Sequence, residues 1–288
     1  EASWAPQLGS RWIISPIGIM QGRLLPKYKG QYQAHPLGYW QKEFFLASSF
    51  GLNCIEFIID YDDVAQNPLI NKDGYKEILS LSVETGIQID SVCADYFMSS
   101  PIFTKDKYKI KKNEKILLQI LESAEKLDIT NIVIPCVDQS TIQNKKNKDR
   151  FISIMKEYVS EAESKKINFA LETDLDPYDF GRLLDSFSSN YVTVNYDIGN
   201  SASMGYDYKE ELEIYGHRIS DVHIKDRKYK GESVLLGTGD ANIPGFFEHF
   251  LNFNYNGPFI LQAYRDDEGL EVFKKQFKWL KENIKFWI

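Results

Sequence analysis

The chain has 288 residues, 43% of them hydrophobic and 26% charged, which supplies enough apolar material for one large core. A formal net charge of −7 argues against a general nucleic-acid binder, which needs a basic footprint, though not against a local basic pocket for an anion. No apolar run reaches the roughly 18 residues of a membrane span, so no membrane partner is expected.

Residues 1–12 lack an initiating Met and an apolar h-region, so they do not read as an intact signal peptide. They are taken as an N-terminal extension, appended or trimmed, and the fold is expected over 13–288. From residue 13 onward, β-rich runs alternate with longer amphipathic patterns. The predicted strands are Ile13–Met20, Asn53–Ile59, Gln88–Cys93, Asn131–Cys136, Asn168–Glu172, Val192–Asp197, Ser220–Ile224 and Pro258–Gln262. Apolar residues at three- and four-residue spacing predict helices between them, most clearly Lys115–Leu127, Phe151–Ala162 and Leu270–Ile284. Gly51, Gly86 and Gly216 fall at helix ends, where a left-handed cap favours glycine.

Eight such units predict an α/β fold, a single-domain (β/α)8 TIM barrel. The rival is an open doubly wound sheet, which usually carries a glycine-rich phosphate turn after its first strand. Here the first strand runs into Met-Gln-Gly-Arg-Leu-Leu-Pro (20–26), which is not that motif. Cys54, Cys93 and Cys136 sit on three different predicted strands with no C-x-x-C spacing. Buried free thiols are expected, and with them a reducing, cytoplasmic compartment.

Four strand ends carry metal-capable side chains: Glu172, Asp197, His223 and Gln262. In a barrel the carboxyl ends of the strands form the active face, so residues ending strands 5 to 8 would form one contiguous arc. Each has an ordinary explanation when taken singly: a strand-end ion pair, a turn cap, a core histidine, an uninformative amide. Together they read as one divalent-metal site. Two carboxylates, an imidazole and an amide oxygen suit manganese, magnesium, cobalt or zinc.

These segments resemble the xylose-isomerase-like barrel superfamily, which includes sugar-phosphate isomerases and epimerases, inosose-converting enzymes and endonuclease IV. The opening Gly-Ile-Met-Gln-Gly-Arg-Leu (18–24), Trp40 with Glu43-Phe44, Asn-Cys-Ile-Glu-Phe (53–57), His-Ile-Lys-Asp (223–226) and Gly-Thr-Gly-Asp (237–240) are similar to its sugar-phosphate isomerase/epimerase subgroup. The resemblance implies one divalent ion held by Glu, Asp, His and a second Glu. The first three positions match Glu172, Asp197 and His223, whereas the fourth is Gln262. An amide oxygen can ligate, but it cannot accept a proton as a base.

The implied reaction is proton abstraction next to a carbonyl, through an enediolate, on a sugar or sugar phosphate. Family 3-epimerases use two glutamates on opposite faces. With Gln262 in the second position, catalysis by Glu172 alone favours a single-base isomerase, or a dehydratase that begins with one base. A 3-epimerase would need another acid/base, for which Asp174 and Asp226 are candidates. Gln21, Arg23, His35, Asp95, Lys225, Arg227 and Arg265 are expected to contact substrate. Lys225 has the alternative reading of a surface lysine, and Lys27 and Lys29 that of a solvated loop. Glu56 is either support for the site or a buried hydrogen-bonded carboxylate. Trp40, Tyr96 and Phe97 either stack on a sugar or pack.

A histidine-rich trinuclear nuclease is disfavoured: there are four histidines, and Asn200 stands where that enzyme type has one. A non-catalytic sugar-binding relative rests on Gln262 alone. A homodimer is compatible with exposed barrel helices.

Overall fold

The computed structural model describes residues 15–284. Eight parallel strands close into one barrel: β1 (Ile17–Met20), β2 (Cys54–Ile58), β3 (Gln88–Cys93), β4 (Asn131–Cys136), β5 (Asn168–Thr173), β6 (Val192–Asp197), β7 (Ile219–Ile224) and β10 (Phe259–Leu261). Closure comes from β1, which pairs with β10 on one side and β2 on the other. Between β7 and β10 the chain adds a two-residue antiparallel hairpin, β8 (Asp226–Arg227) with β9 (Ser233–Val234). This hairpin has no counterpart in the predicted elements. The predicted strand Ile13–Met20 begins at Ile17, and its first two residues lie outside the described region.

Every residue of β2, β4 and β6 is buried, as expected for parallel strands covered on both faces. Alternate side chains point inward, where Met20, Cys54, Ile58, Cys93, Val133, Ala170 and Ile260 form the apolar filling. The other faces pack against the surrounding helices in a much larger cluster. All three cysteines are buried free thiols. Gly18 has no room for a side chain: an added Cβ would lie 2.7 Å from the Cys54 carbonyl oxygen and 2.9 Å from Ile260 Cδ1.

The helices α1 (Lys42–Ser49), α2 (Gly74–Thr85), α3 (Tyr96–Ser99), α4 (Lys107–Lys126), α5 (Lys145–Ser164), α6 (Pro177–Asp185), α7 (Ile198–Met204), α8 (Tyr208–Tyr215), α9 (Ile243–Phe250) and α10 (Leu270–Asn283) fill the crossovers. Helices α4 and α5 start earlier than the apolar periodicity indicates. Asp106 and Asn144 accept the first free backbone N–H groups, and such caps need no apolar residue. Gly51 and Gly86 are left-handed as expected. Gly216 is not: its φ is −56°, and its small size instead admits the Phe253 ring. Among the described residues no helix is long and apolar enough to cross a membrane.

Candidate active site

Strands β5, β6 and β7 deliver Glu172, Asp197 and His223, and Gln262 follows β10 by one residue. Asp197 and His223 are direct partners in the β6–β7 register. All four are buried. Glu172, Asp197 and His223 offer ligand atoms within 4.8 Å of one another.

His223 is held from across the barrel. Its Nε2 lies 2.7 Å from Glu56 Oε1, and the Ser91 hydroxyl donates to Glu56 Oε2 at 2.6 Å. Glu56 is thus a fully buried, hydrogen-bonded carboxylate that holds the imidazole. Asp221, buried beside this pair, has a carboxyl held well above the ordinary range by burial and then by the Glu56 charge. Burial by itself would lower the His223 pKa, but Glu56 and Asp197 outweigh it and hold the ring well above the usual imidazole range. The same field favours a bound cation.

Burial also works against the charge of Asp197, yet Lys225 and His223 hold it well below the usual carboxylate range. Lys225 Nζ lies 2.8 Å from Asp197 Oδ2, so this lysine faces the cavity and is not a surface residue. Asp197 Oδ1 accepts the Asn200 backbone N–H, capping α7. Glu172 is pushed up to about 7, by burial and then by repulsion from Asp197. Asn200 donates from Nδ2 to Glu172 Oε1 (2.8 Å) and accepts from Arg227 Nη1 (2.8 Å).

Glu172, Asp197, Asn200, Lys225 and Arg227 line a cavity of about 650 Å³ together with Arg23, Asp95, Asp174 and Gln262, and the fully buried His223 lies beside Asp197 outside that lining. A neighbouring cavity of about 940 Å³ shares Tyr32, Gln33, Asp95, Met98 and Asp138 with it and contains His35. Of the expected substrate contacts, Arg23, Asp95, Lys225 and Arg227 are therefore brought to the first cavity. Burial lowers the His35 pKa to about 4, so its ring is neutral at pH 7.

Gln21 and Arg265 line neither cavity. Gln21 Oε1 accepts the Ile58 N–H and faces His35 Nδ1. The Arg265 guanidinium donates to the carbonyls of Gly22, Leu25, Asp266 and Asp267, so it braces the loop after β1. The loop lysines are also engaged, Lys27 with Asp267 and Lys29 with Asp63. Asp226, a candidate second base, accepts the N–H groups of Gly237, Gly239 and Ala241 and so shapes the Gly-Thr-Gly-Asp turn. Trp40, Tyr96 and Phe97 are buried in the outer core, where they pack.

The residues present fit a divalent ion. His223 Nδ1 and Gln262 Oε1 are buried donor atoms with no protein hydrogen-bond partner, adjacent to two carboxylates. Gln33 and the Asn200 side chain join the site without being expected there, although Asn200 stands where the histidine-rich nuclease type has a histidine. Gln33 lies in a loop and carries no signal. Asp221 has one: it stands two residues before His223, so it shares the same inward face.

With the barrel and its converging side chains established, comparison with known proteins places the chain. The family model for the xylose isomerase-like TIM barrel matches residues 44–283, and the chain belongs to that family. Among curated relatives it is 22% identical to the "Putative L-ribulose-5-phosphate 3-epimerase SgbU" of Escherichia coli (strain K12), over 85% of this chain and 91% of that protein. Among solved structures, the IOLI protein with a bound zinc atom superposes with a TM-score of 0.72 at 13% identity, covering 95% of this chain and 99% of the other. A xylose isomerase-like TIM barrel protein from Mycobacterium smegmatis, in complex with magnesium, gives 0.70 at 17% identity, covering 96% and 98%.

Proposed function

We propose that this protein is a divalent-metal-dependent isomerase of a sugar or sugar phosphate, which moves a proton at the carbon next to a carbonyl with Glu172 as the base. The observation that carries this reading is the convergence of Glu172, Asp197 and His223 within 4.8 Å, with His223 Nδ1, 3.7 Å from Asp197 Oδ2, and Gln262 Oε1 both buried without a protein hydrogen bond. Those four residues would hold the ion, which when bound supplies Lewis acidity toward a carbonyl and its neighbouring hydroxyl. Zinc and magnesium in the two structural neighbours support a divalent ion without selecting one.

The division of labour follows from what each carboxylate already does. Asp197 is paired with Lys225 and caps α7, and Glu56 is committed to His223 and Ser91. Glu172 accepts one hydrogen bond among the described residues, from Asn200, and retains capacity for a substrate proton. Asn200, itself held by Arg227, orients that carboxylate. Arg227 makes no ion pair among the described residues, and with Lys225 it supplies the positive side of the cavity for a phosphate or a sugar hydroxyl. The buried thiols fit a reducing, cytoplasmic setting.

A 3-epimerase is the second reading, favoured by the similarity to SgbU. Gln262 cannot accept a proton. Epimerisation therefore assigns the other face to Asp174, which lines the same cavity and accepts a hydrogen bond from Thr141.

The test is incubation of the metal-loaded protein in deuterated water with ketoses and ketose phosphates, followed by NMR. Deuterium at C1 with an aldose appearing supports the isomerase. Exchange at C3 with inversion supports the epimerase. Exchange that persists in Glu172→Gln overturns the role of Glu172 in either.

A further inference from the structure

The loop after β1 carries a hydrogen-bond relay that ends on Gln262. Gln33 is its centre. The Gln33 Nε2 donates to Asp95 Oδ2 at 2.7 Å, while its Oε1 accepts from Arg23 Nη2 at 3.1 Å and from Gln262 Nε2 at 2.8 Å. An amide has two ends of nearly equal size, and only its partners decide which end points where. Here the anchors decide. A guanidinium has donors only, so the Gln33 atom that meets Arg23 must be oxygen. A carboxylate is an acceptor, so the Gln33 atom that meets Asp95 must be nitrogen.

Arg23 is itself immobilised: its Nε donates to the Ala263 carbonyl, the next residue after Gln262, and it is buried. With the Gln33 oxygen fixed, Gln262 can meet it only through its NH2 group. The carbonyl oxygen of Gln262 is thereby turned away from Gln33, and it is buried with no protein partner.

We propose that Gln33 is a positioning residue that presents Gln262 oxygen-first to the centre formed by Glu172, Asp197 and His223, making residue 262 a neutral oxygen donor to a divalent cation. The proposal rests on the metal-centre reading above. The relay also selects an amide at position 262. A carboxylate there would set its oxygen against the Gln33 oxygen, and turning Gln33 to suit it would set oxygen against Asp95 and NH2 against Arg23.

The test uses Mn2+ binding to the full chain, read from the EPR signal of the free ion, with urea unfolding as the control for folding. Gln33→Leu removes the acceptor that fixes Gln262 and is expected to weaken Mn2+ binding about 10- to 100-fold, the usual range for a group that orients a metal ligand. Gln33→Glu keeps oxygen toward Gln262 and Arg23 but sets oxygen against Asp95, so it is combined with Asp95→Asn, which returns a donor to that contact; the double variant is expected to retain most of the affinity. In a Gln262→Ala background, Gln33→Leu should have no further effect, because the ligand it orients is gone. Wild-type affinity in Gln33→Leu, or an undiminished loss in the Gln262→Ala background, overturns the positioning role alone. No binding by the wild-type chain, with Asp197→Asn indistinguishable from it, overturns the metal centre and the relay together.

Discussion

Glu43 is completely buried and meets backbone N–H groups in place of a cation, and its replacement by glutamine has a calculable consequence. Its carboxylate accepts the N–H groups of Gly22 (2.6 Å) and Leu24 (3.0 Å), the residues flanking Arg23. Burial dominates and raises its pKa from 4.5 to about 7, although those two bonds favour the charged form. A carboxyl whose pKa is higher in the folded chain binds its proton more tightly there. Its contribution to stability is complete below pH 4.5 and declines as pH rises to about 7. At 1.36 kcal/mol per pKa unit the decline is about 3 kcal/mol. Glu43→Gln cannot titrate. The wild-type unfolding free energy minus that of Glu43→Gln should therefore fall by about 3 kcal/mol between pH 4.5 and 7. Urea unfolding followed by tryptophan fluorescence at half-unit pH steps measures it, and other titrating groups common to both chains cancel. A difference that is flat across this window would show that the two backbone N–H groups keep Glu43 ionised, and the reasoning from burial would fail.

Other consequences follow from named contacts. Asp197→Asn removes a ligand charge and should abolish co-purification of divalent metal, measured by elemental analysis; metal retained at wild-type stoichiometry would exclude Asp197 from the centre. Asn200→Ala frees Glu172 and should lower kcat about tenfold or more, the worth of a hydrogen bond to a charged group, while circular dichroism stays unchanged. Gly18→Ala drives a methyl into Cys54 and Ile260 and should cost about 1–3 kcal/mol, read as a lower urea midpoint. Asp226→Ala strips the acceptor from three N–H groups of the 237–241 turn and should cost about 3 kcal/mol or more; a loss under 1 kcal/mol would mean that water replaces the carboxylate freely.

Local signals carry the barrel. Apolar β-branched runs at helix-spaced intervals mark each strand to within a few residues, because a parallel strand buried on both faces must be apolar throughout. They miss the β8–β9 hairpin, whose two-residue strands are too short to show periodicity. Glu172, Asp197, His223 and Gln262 are legible for the same reason as the strands: a polar residue that ends an apolar run falls on the barrel's active face by strand position alone.

The basic residues are not so readable. Arg23, Arg227 and Arg265 look alike in the chain, each just past a strand, yet Arg265 serves four backbone carbonyls while Arg227 faces the cavity. Asp226 has the sequence position of a base and instead holds a turn. Gln33 has no mark at all, and its partners Arg23, Asp95 and Gln262 lie up to 229 residues away in sequence. Periodicity and strand-end position depend on the backbone, which neighbouring residues determine. Which hydrogen bonds a long polar side chain makes depends on which other loops reach it, and barrel closure through β1 and β10 decides that. The sequence alone therefore determined the barrel and the four metal-capable side chains at its strand ends, while only the tertiary structure decided which partners those side chains, and the arginines around them, meet.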